Sequence, residues 1–528
     1  MSELWTLSAG EIAAGIARGE ISSSDAVTAH IARIEAVDPL VNAVVVRRYD
    51  AALAEARAAD ERRARGEPLG ALHGVPVSVK ECLDVTGTPS TFGLPSRANH
   101  SAVADDPSVA RWRAAGAIVV AKTNVPQLMV FIETDNPLFG RTNNPWNLER
   151  SPGGSSGGEA ALIAAGGSPL GLGTDIGGSL RSPATSCGIV SLKPTTGRLN
   201  DTTRLEPFAG QRAIISSEGP LARTVADVAL GLELANGGRD PAVLPPRPLR
   251  DPAAIDVRAL RVGYYERTGW FRASPALERA AREAAGALSE LGATVVHFDP
   301  PAVDEAMDLF YRILSADGGR GFAEALGKDQ RDSRVAELLT IASKPRALLA
   351  GLERLLALAG QRGPARLVHN FGFTATADYW KVTAALERYR ERFALALDGA
   401  AGGPLDLIVS PPCGLPALRH GASADVSTAG AYAPLYNVLG YPAGTLPWTQ
   451  VLANEETARK PSSDRIERAA LATERGSTGL PAGVQIVGRP WREDVVLAAM
   501  FALETVARGR PDFPLTPVSP QEPVMPEG

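Results

Sequence analysis

A chain of 528 residues that is 45% hydrophobic and 21% charged has room for one large domain or several ordinary ones, with enough apolar side chain to bury a sizeable core. With a net charge of −5, nothing argues for nucleic acid or an anionic membrane as main partner, since both usually demand a basic face. Cys82, Cys187 and Cys413 are odd in number and widely spaced, so neither a CxxC zinc site nor a disulfide framework is expected, and a cytoplasmic setting fits.

The opening "MSELWTLSAGEIAAGIARGE" lacks a basic region followed by an apolar one, and no run of 18 apolar residues follows anywhere, so neither a signal peptide nor a transmembrane anchor is expected. Ser8 and Glu11 spell a capping box for a helix ending near Gly19. A second helix is expected from about Ser24 to Glu35, with Val27, Ile31 and Ile34 on one face, and an Ala-rich one from about Asp50 to Arg65. "GVPVSVK" alternates as a strand does, with Val75, Val77 and Val79 on one side and Pro76, Ser78 and Lys80 on the other. "AIVVAKTN" reads as a buried strand. "LRVGYY" and "ATVVHFD" read as strands around a helix near 275–291. Residues 302–398 are helical in pattern. "LDLIVSPP", "AGTLPW" and "AGVQIVG" are late strands, "REDVVLAAMFALETVARG" is a closing helix, and 511–528 is an irregular Pro-rich tail. The alternation predicts one large α/β domain over residues 1–528, a central mixed twisted sheet flanked by helices on both sides, with a helical insertion at 302–398.

"SPGGSSGGEAALIAAGGSPLGLGTDIGGSLRSPA" (151–184) concentrates glycine and serine. A linker is a poor reading, because "ALIAA" and "LGLGTDIGG" look like core. A phosphate loop lacks GxxxxGK[ST]. "GGSSG" formally matches a nucleophile elbow, with Ser155 as nucleophile and His420 as the most plausible later histidine. The fourth reading needs no histidine. Glycines in "TDIGGS" let backbone N–H groups converge beside Ser179, a second serine relays protons, and a desolvated Lys80 is the base.

"GVPVSVKECLDVTG", "AKTNVPQL", "NPWNLERSPGGSSGGEAALIAAGGSPLGLGTDIGGSLRSPATSCGIVSLKPT", "SSEGPLARTVADVAL" and "LPAGVQIVGRPWRED" together strongly resemble the amidase signature family of Ser–cis-Ser–Lys hydrolases, over about residues 5 to 510. The resemblance implies Ser179 as nucleophile, Ser155 as bridging serine after a cis peptide from Gly154, and Lys80 as general base. It implies the amides of Ile176, Gly177, Gly178 and Ser179 as oxyanion hole, with Ser156, Asp175 and Arg181 in support. No cofactor and no metal are implied, and no cluster of ligand-type residues has metal spacing.

"NVPQLM", "NPLFGRTNNPW" and "YAPLYNVLGYPAG" are closer to fatty acid amide hydrolases than to the A-type subunits of glutamyl-tRNA amidotransferases. The expected activity is therefore hydrolysis of a small-molecule carboxylic amide, with an apolar acyl group as the leading candidate and side activity on esters or carbamates, by a chain that could form a homodimer. The alternative is an A-type subunit that works with a partner on glutamyl- or aspartyl-tRNA. Leucine-rich 334–360 has two readings: an apolar face packed on the core, or a cap over the substrate channel that also touches membranes or partners.

Overall fold

The computed structural model describes residues 3–199, 210–237 and 247–521. In chain order its strands are β1 (Val44–Arg47), β2 (Pro76–Lys80), β3 (Ile118–Thr123), a small ribbon of β4 (Asp135–Asn136) and β5 (Gly140–Arg141), then β6 (Leu170–Asp175), β7 (Val190–Lys193), β8 (Ser217–Ala222), β9 (Arg261–Tyr264), β10 (Thr294–His297), β11 (Leu407–Ser410), β12 (Ala443–Gln450) and β13 (Pro481–Gly488). Apart from the ribbon they form one 11-stranded sheet, ordered β1-β3-β2-β6-β8-β7-β12-β13-β11-β9-β10. The sheet is mixed. β3, β2 and β6 run parallel, β11, β9 and β10 run parallel, and the strands between them pair antiparallel.

Helices cover both faces, as expected. On β3, Ile118 and Val120 pack with helices Ser23–Val41, Tyr49–Ala64 and Gly157–Ala164. Val119, one residue out of phase, belongs to the core on the opposite face, to which helices Val225–Ala235, Pro275–Glu290 and Glu493–Arg508 contribute further along the sheet. This is the period-2 rule of a strand with two buried faces. For the same reason every residue of β2 is buried, its polar Ser78 and Lys80 included.

The capping box forms: Ser8 Oγ accepts the Glu11 N–H at 3.2 Å, Glu11 Oε2 accepts the Ser8 N–H at 2.8 Å, and Gly19 ends the helix with φ 76°. The second helix overruns its expected end and spans Ser23–Val41, through Pro39. Its exit is held by the Asp38 carboxylate, which accepts the N–H groups of Ala43 and Val44 at 2.7 and 2.9 Å. β8 has no counterpart among the expected elements. Its Gly219 and Pro220 read as a turn, yet it runs between β6 and β7.

Residues 303–398 hold six helices and no strand: Val303–Leu314, Arg320–Leu326, Ser333–Ala342, Arg346–Leu358, Arg362–Asn370 and Thr376–Asp398. The leucine-rich run divides at Pro345, which caps the helix after it. Val335 and Leu339 of the first half are buried. Helix Arg346–Leu358 buries only Leu349 and leaves Leu348, Leu352, Leu355 and Leu358 exposed. Core packing therefore describes the first half and not the second. Of the tail, 511–521 has neither helix nor strand but is tied down, with the Val518 N–H donating to Ala164 O at 2.8 Å; 522–528 lies outside the described residues.

Candidate active site

Lys80 ends β2 and Asp175 ends the neighbouring parallel strand β6, so both stand at the carboxyl edge of the parallel block, where open α/β sheets leave a crevice. Ser155 and Ser156 arrive there at the N-terminus of helix Gly157–Ala164. Lys80 is fully buried, and its Nζ donates to Ser155 Oγ at 2.7 Å and to Thr174 Oγ1 at 2.8 Å. Burial pushes the Lys80 ammonium down to about 8, against the opposing pull of Cys82, Asp175 and Glu159. A lysine so placed is neutral in part near neutral pH and has a hydroxyl within reach, which is what a general base requires.

The Gly154–Ser155 peptide is cis. No side chain fits at Gly154, where a Cβ would lie 2.5 Å from the Glu133 N and 2.6 Å from the Phe131 O. Ser156 ties the two serine loops together: its N–H donates to the Ser179 carbonyl at 3.2 Å and its hydroxyl to the Thr174 carbonyl at 3.3 Å.

Asp175 shapes the turn that carries Ser179. Its carboxylate accepts the Gly178 N–H at 2.8 Å, the Leu180 N–H at 3.1 Å, the Asn437 amide at 2.9 Å and two Arg181 N–H groups at 3.0 Å each. Arg181 also donates to Ala433 O, Gln485 Oε1 and Asn437 Oδ1 at 2.6–2.8 Å, and both members of the pair are fully buried. Burial alone would raise the Asp175 carboxyl; the charge and hydrogen bonds of Arg181 reverse this and hold it well below the usual carboxylate range. The geometry amends one expectation. The Gly178 N–H, anticipated as an oxyanion donor, is engaged by Asp175. Among the described residues the N–H groups of Ile176, Gly177 and Ser179 have no protein acceptor. Gly178 instead supplies a backbone at φ 106°, where a Cβ would also lie 2.7 Å from that of Ala433.

The histidine of the elbow reading is occupied elsewhere. His420 Nε2 lies 3.1 Å from Leu148 O and its Nδ1 3.8 Å from Glu133, whereas the Ser155 hydroxyl is held by Lys80. Two residues at the site had no signal in the sequence. Thr174 is the second partner of Lys80. Glu159 is a buried carboxyl that accepts the hydroxyls of Ser78 and Thr123 and is pushed up to about 7, chiefly by burial.

A cavity of about 310 Å³ opens at Ser179. Ile176 and Gly177 line it beside the serine, Phe131 and Ile132 form one side, and Phe310, Leu338 and Ile341 reach in from the helical insertion. Among the described residues no cluster of three or more His, Cys, Asp or Glu could hold a metal ion, and no helix is long and apolar enough to cross a membrane.

Comparison with known proteins supplies independent findings. A family model described as Amidase matches residues 25–497. Fatty-acid amide hydrolase 1 of Sus scrofa is 38% identical over 462 residues, covering 84% of this chain and 77% of that one. The A-type subunit of the glutamyl-tRNA(Gln) amidotransferase of Moorella thermoacetica is 32% identical over 514 residues, 95% of this chain and 97% of that one. A solved structure of a fatty acid amide hydrolase superposes with a TM-score of 0.81 at 25% identity, covering 96% of this chain and 85% of that one.

Proposed function

The chain belongs to the amidase signature family of amide-hydrolysing enzymes, and from that premise we propose that it is a free-standing serine amidase acting on amides with an apolar acyl group. Ser179 Oγ attacks the amide carbonyl carbon and gives its proton to Ser155, whose own proton passes to neutral Lys80 over the 2.7 Å contact. The N–H groups of Ile176, Gly177 and Ser179 receive the negative charge on the tetrahedral oxygen. The proton then returns through Ser155 to the leaving nitrogen, the C–N bond breaks, and an acyl ester remains on Ser179. Water, activated by the same relay, cleaves that ester and releases the acid. Asp175 and Arg181 hold the turn in shape and touch no reacting atom.

The observation that carries the acyl preference is the cavity itself, which begins at Ser179 and is walled by Phe131, Ile132, Phe310, Leu338 and Ile341. These side chains reward burial of methylenes, at up to about 0.8 kcal/mol each. The helical insertion supplies part of this wall and in this reading caps the acyl channel. The free, buried Cys82, Cys187 and Cys413 support a cytoplasmic setting.

The test uses the purified chain alone. A fluorophosphonate should label Ser179 and not Ser155, as mapped by mass spectrometry. Across a series of anilides kcat/KM should climb with acyl length. Hydrolysis that needs a partner protein and tRNA would favour the amidotransferase reading, and a series in which acetamide-sized substrates are best would sink the apolar one.

A further inference from the structure

Three segments distant in sequence wall the cavity: Met129–Ile132 after β3, helix Ser333–Ala342 with Arg334 and Leu338, and the loop Ser423–Asp425. They meet at one carboxylate. Glu133 is wholly buried, its Oε1 accepts the Gly421 N–H at 2.5 Å, and its Oε2 accepts the Ser423 N–H at 3.3 Å. Arg334 Nη1 lies 3.0 Å from Oε2, and His420 Nδ1 lies 3.8 Å from Oε1. Burial works against the charged carboxyl, but His420, the Gly421 N–H and Arg334 outweigh it and keep Glu133 below its ordinary range.

Arg334 is fixed in turn. It pairs with Asp332 at 2.5 Å and lies 3.5 Å from Asp135, and its guanidinium sits 5.6 Å from the centre of the Phe131 ring. The Asp332 N–H donates to Gln127 Oε1 at 2.9 Å, which ties the start of the helix to the first wall a second time. The same first wall abuts Gly154, whose absent Cβ would collide with the backbone of Glu133.

We propose that the Glu133–Arg334 ion pair braces the three walls against one another and thereby sets how firmly the cavity grips an apolar acyl group. Glu133 is a positioning residue for acyl selection, while Arg334 also lines the cavity, so Glu133→Gln is the variant that isolates the brace. The proposal rests on the acyl reading of the cavity. A buried ion pair is a weak source of net stability but costly to break singly; here loss of Arg334 leaves the wholly buried Glu133 without its counter-charge, and loss of Glu133 frees Arg334 to its remaining partners Asp332 and Asp135. Its removal therefore loosens the segments it joins, and the loss should fall on the part of the substrate those segments enclose.

The experiment compares acetyl and decanoyl anilides on the full chain and on Glu133→Gln, Arg334→Gln, the double variant and Arg334→Lys. For the decanoyl substrate KM should rise about tenfold or more in each neutralised variant while kcat changes less than about threefold. The acetyl substrate should lose less than about threefold in kcat/KM. The double variant should be no worse than the worse single one, and Arg334→Lys should keep most of the grip and serves if Arg334→Gln does not fold. Equal losses for the two substrates, a loss confined to kcat, or additive losses in the double variant would overturn the brace. A wild type that does not favour decanoyl over acetyl would defeat the acyl reading instead. The brace would then be judged by hydrogen exchange in Glu133→Gln: faster exchange in both 333–342 and 421–425 is expected, and unchanged exchange in either segment refutes it.

Discussion

Replacing Lys80 by methionine should destroy amide turnover and yet make the folded protein more stable at pH 7. Burial lowers the Lys80 ammonium from its ordinary 10.5 to about 8. A group whose pKa is lower in the folded chain binds fewer protons there than in the unfolded chain between those two values, so folding stability rises with pH from 8 to 10.5 and its full penalty is felt below 8. The gap corresponds to about 3 kcal/mol, at about 1.4 kcal/mol for each unit. Methionine fills a similar volume without a charge to desolvate, and so escapes that penalty. It also gives up the bonds to Ser155 and Thr174, each worth about 1 kcal/mol. The net expectation is a stabilisation of about 1 kcal/mol at pH 7 that changes sign towards pH 10.5, where wild-type Lys80 is neutral in the folded chain and its penalty has faded, so that the lost bonds dominate. Urea unfolding of the two proteins side by side at both pH values reads this, since other titrating groups cancel in the difference. A variant equally destabilised at pH 7 and at pH 10.5 would mean that Lys80 carries no burial penalty, and the argument for its role as a base would lose its physical ground.

Lys80→Ala should lower amide turnover by roughly one to three more powers of ten than turnover of a matched ester, because only the amine needs a proton as it leaves. Equal losses would deny Lys80 that second role. In the wild type kcat/KM should rise with pH to a half-point near 8, the value at which Lys80 loses its proton, and a flat profile from pH 6 to 9 would contradict a lysine base. Asp175→Asn should destabilise the fold by about 3 kcal/mol or more and lower kcat, because it leaves Arg181 buried without its counter-charge and turns one of the two oxygens that accept the Gly178 and Leu180 amides into a donor. A variant as stable and as active as the wild type would show that the turn holds itself.

What could be read from the sequence and what could not divides along the range of the interaction. The α/β class, the flanking helices and the strand that ends at Lys80 follow from periodicity within a few residues, and the glycine pair at 177 and 178 marks a turn. Resemblance to the family implied roles for Lys80, Ser155 and Ser179, and of that set the Lys80–Ser155 contact is present at 2.7 Å. Local pattern failed where a neighbour far along the chain decides. β8 contains Gly219 and Pro220 and is a strand because β6 and β7 flank it. The Gly178 amide is an orphan in the sequence and is satisfied in the fold, because Arg181 sets the carboxylate of Asp175 under it. The leucines of 346–358 have helical spacing whether or not anything covers them, since periodicity marks a face as apolar but not what lies opposite it. Glu133 is the clearest instance. In "FIETDN" it is one of two acidic residues that follow Phe131 and Ile132, and a surface position would be the ordinary guess. Only when Arg334 and the amides of Gly421 and Ser423 arrive does it become a buried anion with a full set of partners. Residues whose work is to join distant segments are thus the ones single-sequence reading is least equipped to find, and the wall of a substrate cavity assembled from three such segments is where they gather.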